Sequence, residues 1–328
     1  MENELMKSFD YLEPLTLEEA FQMKNGQPSS VYLGGGTDVV PLMKYDLITP
    51  SALISLEKIA ELSRIAVNAD DLLIGGLVRL HQLYRYAADI PALAGLGRAA
   101  QLVASPQIRR LGTVAGNLRQ FHRCYYYNQT ATWRQGIETC LKNGGGVCHQ
   151  APAKKTCQAL HYSDLAPALM AAGASVRLFS GQAVESAPLD YLLNEPSSLG
   201  EALVTQIVVP GISGLKHLFF RKRAARAAID FPLANAALAW RGDGQVRLVV
   251  GAMSPAPYFL EETAAGISRK LRAGEPLDEG LEETAEKEAR RKMRPIKEAT
   301  VSPAVKIKAM RAAVREVLAD LRLSLAGK

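Results

Sequence analysis

The sequence predicts a mixed α+β protein, on three observations. Short apolar runs recur along the chain, and the first of them ends in three glycines, as a strand closed by a turn does. Other segments repeat their apolar residues three and four apart, the period of an amphipathic helix. The two kinds alternate irregularly and at no fixed period, which points to sheets and helices packed together in layers.

In chain order, a helix is expected from Leu15 to Met23. "SVYL" from Ser30 to Leu33 reads as a strand running into Gly34, Gly35, Gly36, Thr37 and Asp38, a turn that only glycines make freely. "ALISL" from Ala52 and "LLIGG" from Leu72 read as further strands, and Leu93 to Val103 as a helix. Three more strands are expected from Ala174 to Phe179, Ala202 to Val209 and Gln245 to Met253. A break near Pro210, Gly211 and Gly214 divides an N-terminal unit from a C-terminal one. The last helix is capped by Ser302, with Pro303 in its first turn. Met310, Val314, Val317, Leu318, Leu321 and Leu325 form its apolar stripe.

At 328 residues the chain can bury two or three packed units. No apolar run approaches the roughly 20 residues of a membrane helix. The start, with Glu2 and Glu4, lacks a signal pattern, so a cytoplasmic protein is expected. The net charge of +6 raises the question of nucleic acid. Much of the excess sits in Arg290, Arg291, Lys292, Arg294, Lys297, Lys306, Lys308, Arg311 and Arg315, after the acids Glu282, Glu283, Glu286 and Glu288. Few aromatics interleave with these bases, so a solvated helix face or docking surface is expected, and no nucleic-acid platform.

All four cysteines, Cys124, Cys140, Cys148 and Cys157, fall in one stretch, from about Phe121 to His161, that is poor in aliphatics. Such a stretch cannot build a core of its own, and so long a loop needs a reason to exist. Convergence of four thiolates on a metal supplies one. A cytoplasmic chain does not favour disulfides. Structural zinc sites usually carry tight pairs such as C-x2-C, whereas the intervals here are 15, 7 and 8 residues. An iron–sulfur cluster tolerates wide spacing, so on chemistry alone cluster and zinc both remain open. His122, His149 and His161 are expected beside the site or on the surface.

"LGGGTD" from Leu33 to Asp38 suggests an anion nest of successive amides. It is no Rossmann fingerprint, because the third spaced glycine is missing. "LGTVAGN", Leu111 to Asn117, is a second glycine turn, and two such turns could grip a pyrophosphate from opposite sides.

Taken together these motifs resemble the FAD-binding medium subunits of the xanthine dehydrogenase and carbon monoxide dehydrogenase family, over essentially the whole chain. "GGGTD" with Pro41 resembles the first FAD loop and "GTVAGN" the second, usually T-x-G-G-N, with Ala115 in place of a glycine. "SDLAPALMAAGA" from Ser163 and "VGAMSPAP" from Val250 resemble two further family stretches. The resemblance implies a two-subdomain FAD-binding fold of the PCMH/VAO type, subdomains about 1–56 and 57–214, then a small sheet-plus-helices domain, 215–328. Leu33, Gly34, Gly35, Gly36, Thr37 and Asp38 would surround the flavin diphosphate. Gly112, Thr113, Gly116 and Asn117 would oppose them, and Asp164 would hydrogen-bond the cofactor. Lys222 would lie near the isoalloxazine ring, or else on the surface.

Within the family the sharper likeness is to the 4-hydroxybenzoyl-CoA reductases. Asn117 and Ser163 are separated by 45 intervening residues, and the cysteines lie in that insertion, about 119–162. "RCYYYNQTATWRQGIETCLKNGGGVCH" resembles the reductase insertion, which implies a 4Fe–4S cluster on Cys124, Cys140, Cys148 and Cys157; "RKRAARAAIDFPLA" from Arg221 adds to the likeness. The implied partners are a large molybdenum-cofactor subunit, a small subunit with 2Fe–2S clusters, and ferredoxin or a similar carrier, in a hetero-oligomer such as a dimer of heterotrimers. Electrons would pass from ferredoxin through the cluster and FAD to molybdenum, for reductive dehydroxylation of an aromatic thioester in aromatic degradation. The same cofactors could serve an oxidative molybdenum hydroxylase acting on an aldehyde, purine or heterocycle. A zinc-stabilised scaffold without catalysis is the reading from another class.

Overall fold

In the computed structural model the residues described are 6–194, 201–227, 229–278, 280–293 and 301–327. Arg294 and Lys297, on which part of the charge reading rests, and Glu2 and Glu4, on which the signal reading rests, lie outside them.

Three sheets follow one another along the chain. The first is parallel, in the order β1 (Asp10–Leu12), β3 (Ala52–Ser55), β2 (Val31–Leu33). Parallel strands need a crossover, and α1 (Leu17–Gly26) lies between β1 and β2 in sequence. Thr16 caps α1 by accepting from the Glu19 amide at 3.1 Å. After β2 come the glycines and then α2 (Val39–Lys44).

The second sheet is antiparallel. Its order is β4 (Ile65–Asn68), β5 (Asp71–Gly75), β8 (Leu203–Val209), β6 (Ser175–Phe179), β7 (Val184–Pro188). Because β5 pairs directly with β8, the described part of the chain between them leaves from and returns to one sheet. That includes α3 (Leu80–Ala88), α4 (Ala94–Gln101), α5 (Pro106–Leu111), α6 (Val114–Leu118), α7 (Ala131–Gln135) and α8 (Leu165–Ala172). α9 (Leu189–Asn194) follows β7. Every residue of α8 is buried, as an all-apolar "LAPALMAA" requires. Gly173 ends it with φ +83, a left-handed cap that suits glycine.

The third sheet is antiparallel, in the order β12 (Tyr258–Phe259), β11 (Val246–Gly251), β10 (Pro232–Arg241), β9 (Leu215–Ala224). α10 (Glu261–Ala273), α11 (Gly280–Lys292) and α12 (Pro303–Ala326) complete this region. Ser302 caps α12, and Met310, Val314, Val317, Leu318 and Leu321 are buried in one core with Ala234, Ala236 and Leu238 of β10. Burial of each such side chain contributes roughly 1.5–3 kcal/mol. Leu325 packs at the edge of the same core.

β9 and β10 escape the apolar-run reading. β9 carries Lys216, Arg221, Lys222 and Arg223, and β10 is rich in alanine, a poor strand former. Small side chains on both faces of β10 let α8 approach from one side and α12 from the other. Tertiary packing decides here, against local propensity.

The basic helical surface is laced as expected along α11, where Glu283 meets Lys287 and Glu286 meets Arg290, each at 2.8 Å. Lys306 is a correction. It is buried, and its ammonium donates to the Ala252 carbonyl at 3.1 Å, so it forms no part of that surface. Among the described residues no helix is long and apolar enough to cross a membrane.

Candidate functional site

The first glycine turn leaves β2 and enters α2. The amides of Gly34, Gly35, Gly36, Thr37 and Asp38 donate to no acceptor among the described residues. Five successive free donors are what an anion is held by. Gly36 has φ +69, a conformation other residues adopt only with strain. At Gly35 a Cβ would overlap the Leu111 carbonyl, to which the Arg79 guanidinium also donates, so the two glycine turns touch at this point.

The second turn is built differently. Ser105 caps α5, and Thr113 caps α6 by accepting from the Gly116 amide at 3.1 Å. The amides of Gly112, Val114, Ala115 and Asn117 donate to the carbonyls of Ile108, Val78, Gly76 and Thr113. Ala115 is helical and tolerates its methyl group, which lies against Gly76. The two turns are therefore not equivalent cradles. The first keeps its amides free, whereas the second uses most of its own to fix its shape and presents the Asn117 side chain.

Asn117 joins the next motif. Its Oδ1 accepts from the Ser163 hydroxyl at 2.6 Å, and the Ser163 oxygen accepts from the Ala166 amide at the start of α8. The adjacent Asp164 is buried. Its Oδ2 accepts from Lys222 at 2.7 Å and its Oδ1 from the Asn235 side-chain amide at 3.0 Å. Lys222 also donates to the Leu102 carbonyl at 2.9 Å. With side chains 8% and 3% exposed, the Lys222–Asp164 pair is interior, which rules out the surface reading of Lys222. Burial pushes the Asp164 carboxyl up, while the Lys222 ammonium and the Asn235 amide pull against that. Asn235 lies outside the motifs that the sequence displays. Its signal was a lone amide within the apolar run "PLANAALAW".

Asp38 ties the glycine turn to the cysteine segment. Its carboxylate accepts from the Phe121 amide and from the Arg123 guanidinium, both at 2.8 Å. Arg123 in turn lies over the Phe231 ring, 4.9 Å from its centre. Paired backbone bonds of 2.9 Å between Arg123 and Leu160 close the segment, bringing the Cys124 and Cys157 ends together. A bridge between Cys140 and Val147 sets Cys140 beside the stretch that holds Cys148. All four thiols are free. Burial pushes the Cys124 thiol up and the nearby Cys157 adds to this, against the amides of Tyr126 and Tyr127.

Among the described residues no three His, Cys, Asp or Glu side chains are gathered as ligands of one ion. His161 is buried with its Nε2 3.0 Å from the Leu118 carbonyl, and His122 packs edge-on against it at 5.4 Å. Burial lowers their pKa values to about 4 and about 3. His149 Nε2 lies 2.7 Å from the Glu138 carbonyl.

Residues 7–212 match the family model described as the FAD binding domain in molybdopterin dehydrogenase. The chain is 31% identical to the aldehyde oxidoreductase FAD-binding subunit PaoB of Escherichia coli (strain K12), over 82% of this chain and 88% of the relative. It is 24% identical to the glyceraldehyde dehydrogenase medium chain of Sulfolobus acidocaldarius, over 80% of this chain and 82% of the relative. Among solved structures, a carbon monoxide dehydrogenase from Hydrogenophaga pseudoflava shares the fold with a TM-score of 0.73 at 19% identity, covering 95% of this chain and 96% of that one. A family match over more than half the chain, joined to the free amides of the first glycine turn, leads to one assignment: the chain belongs to the FAD-binding medium subunits of the xanthine and carbon monoxide dehydrogenase family.

Proposed function

We propose that the chain is the FAD and 4Fe–4S subunit of a molybdenum oxidoreductase that passes electrons between a one-electron carrier and its partner subunits. One observation carries the reading: the ion pair of Asp38 with Arg123 joins the glycine turn to the residue before the first cysteine. Redox groups at those two places would be neighbours.

The donor types of these residues suit both groups. Gly34, Gly35, Gly36, Thr37 and Asp38 offer free amides to a diphosphate, Thr113 lies against Gly34, Asn117 would oppose them, and Leu33 leads into the turn. Asp164, buried with Lys222 and Asn235, follows Ser163, whose hydroxyl donates to Asn117 of the second turn. Cys124, Cys140, Cys148 and Cys157 are four free thiols on a segment without an aliphatic core; one backbone bridge pairs the ends that carry Cys124 and Cys157, and another sets Cys140 beside the Cys148 stretch. Their wide spacing suits a polynuclear cluster better than a single ion. When bound, flavin exchanges electrons singly or in pairs and a cluster exchanges them singly, which suits a junction between ferredoxin and 2Fe–2S and molybdenum subunits.

For the whole complex the proposed reaction is reductive dehydroxylation of a 4-hydroxybenzoyl-CoA-like thioester, on the likeness of the cysteine insertion. A second reading, oxidation of an aldehyde, is favoured by the relative named as an aldehyde oxidoreductase subunit. Assays of the complex with reduced ferredoxin and the thioester, and with aldehydes and an artificial acceptor, separate them. Turnover of aldehydes without thioester reduction would contradict the first reading and support the second.

A further inference from the structure

Lys142 stands two residues beyond Cys140, in the single helical turn Leu141–Asn143. Lysines in such turns usually extend into water, but this one is drawn inward. Its ammonium donates to the His122 carbonyl at 2.6 Å and lies 4.6 Å from the centre of the Tyr127 ring and 5.9 Å from that of Phe121. The thiols of Cys157, Cys124 and Cys140 and the carboxylate of Asp38 are all within its electrostatic reach. Asp38, the one carboxylate in that set, is already paired with Arg123. A partly desolvated cation held by one carbonyl and two ring faces needs more negative charge than these supply. Lys142 follows Cys140 by two residues, and the His122 carbonyl and Tyr127 ring that hold it flank Cys124, so that as thiolates these cysteines would provide that charge.

We propose that Lys142 is the counter-charge of the cysteine site, and that its ammonium raises the reduction potential of the cluster held there. The inference rests on the cluster reading above. A cluster on four thiolates that accepts one electron from a low-potential donor, with no proton, gains one negative charge. A fixed cation nearby therefore favours the reduced form over the oxidised one. Net charge around the sulfurs is among the quantities that set such potentials. A bland role also exists, in which Lys142 only pins the His122 carbonyl and the Tyr127 ring, and that role does not depend on charge.

The two roles separate in the purified complex. Lys142→Gln keeps a donor for His122 and loses the charge, Lys142→Met keeps the stem, and Lys142→Arg keeps the charge. Iron and sulfide are measured first, then the potential of the cluster by titration followed by electron paramagnetic resonance. The neutral variants should hold full iron and shift the oxidised-to-reduced ratio at fixed potential at least about ten-fold toward oxidised, about 59 mV for one electron. Lys142→Arg should return to near the wild-type ratio. Full iron with an unmoved ratio in both neutral variants overturns the inference. Should both neutral variants lose iron, retention by Lys142→Arg supports it, and loss there too overturns it. A wild-type complex without iron would sink the cluster reading itself, an outcome distinct from the others.

Discussion

Asp38 and Arg123 form an ion pair at 2.8 Å, and through it the turn after β2 holds the cysteine segment. The second carboxylate oxygen accepts from the Phe121 amide, so one side chain satisfies two donors of the segment. Asp38→Ala should destabilise the protein by about 1 kcal/mol, because it leaves two partly buried donors, the Phe121 amide and the Arg123 guanidinium, without their acceptor. Bound flavin and iron should fall together, measured as flavin and iron per chain after gel filtration. Loss of one with full retention of the other would show that the two places are not coupled.

Gly35→Ala should abolish flavin retention. The added Cβ meets the Leu111 carbonyl, which is backbone and has little room to move. At Gly144, where nothing lies within reach but φ is +85, the same change should cost only about 1 kcal/mol and leave flavin in place. Equal flavin content in Gly35→Ala and wild type contradicts the close approach of the two turns.

Lys222→Met should destabilise the protein by about 3–5 kcal/mol, because it leaves the Asp164 carboxylate buried without its cation. Adding Asp164→Leu should recover part of that loss. Urea midpoints of the single and double variants check this, and a double variant less stable than the single one would contradict it.

His161 gives an acid dependence. Its pKa lies at about 4 in the folded protein because it is buried, against about 6.5 in an unfolded chain. Between these values the unfolded chain binds a proton that the folded one refuses. Stability is therefore fully present above pH 6.5 and is lost as the pH falls toward 4, by up to roughly 3 kcal/mol. His161→Leu should shrink the drop in urea midpoint between pH 7 and pH 5. An unchanged drop would place the acid sensitivity elsewhere.

What could be read from residues alone was whatever leaves a local trace. The glycine turn shows because Gly35 and Gly36 each answer a backbone demand, and α12 shows because its stripe repeats at the helical period. Pairings between distant residues leave none. Lys222 and Asp164 are 58 residues apart, and a charged residue on β9 looks exposed until its partner is known. Lys306 misleads for the same reason, its ammonium donating to the Ala252 carbonyl, 54 residues earlier in the chain. The cysteines were conspicuous, but the residues that surround them, Arg123, Tyr127 and Lys142, have no pattern to betray them.

The central claim is that a flavin and an iron–sulfur cluster share this chain. Flavin, iron and acid-labile sulfide per chain in the purified complex, set against a variant with Cys140 and Cys148 both changed to Ser, test it most directly. The account requires one flavin in both proteins, with about four iron atoms and four sulfides per chain lost from the variant. Equal iron in the two proteins, or zinc in place of iron on this segment, would contradict it.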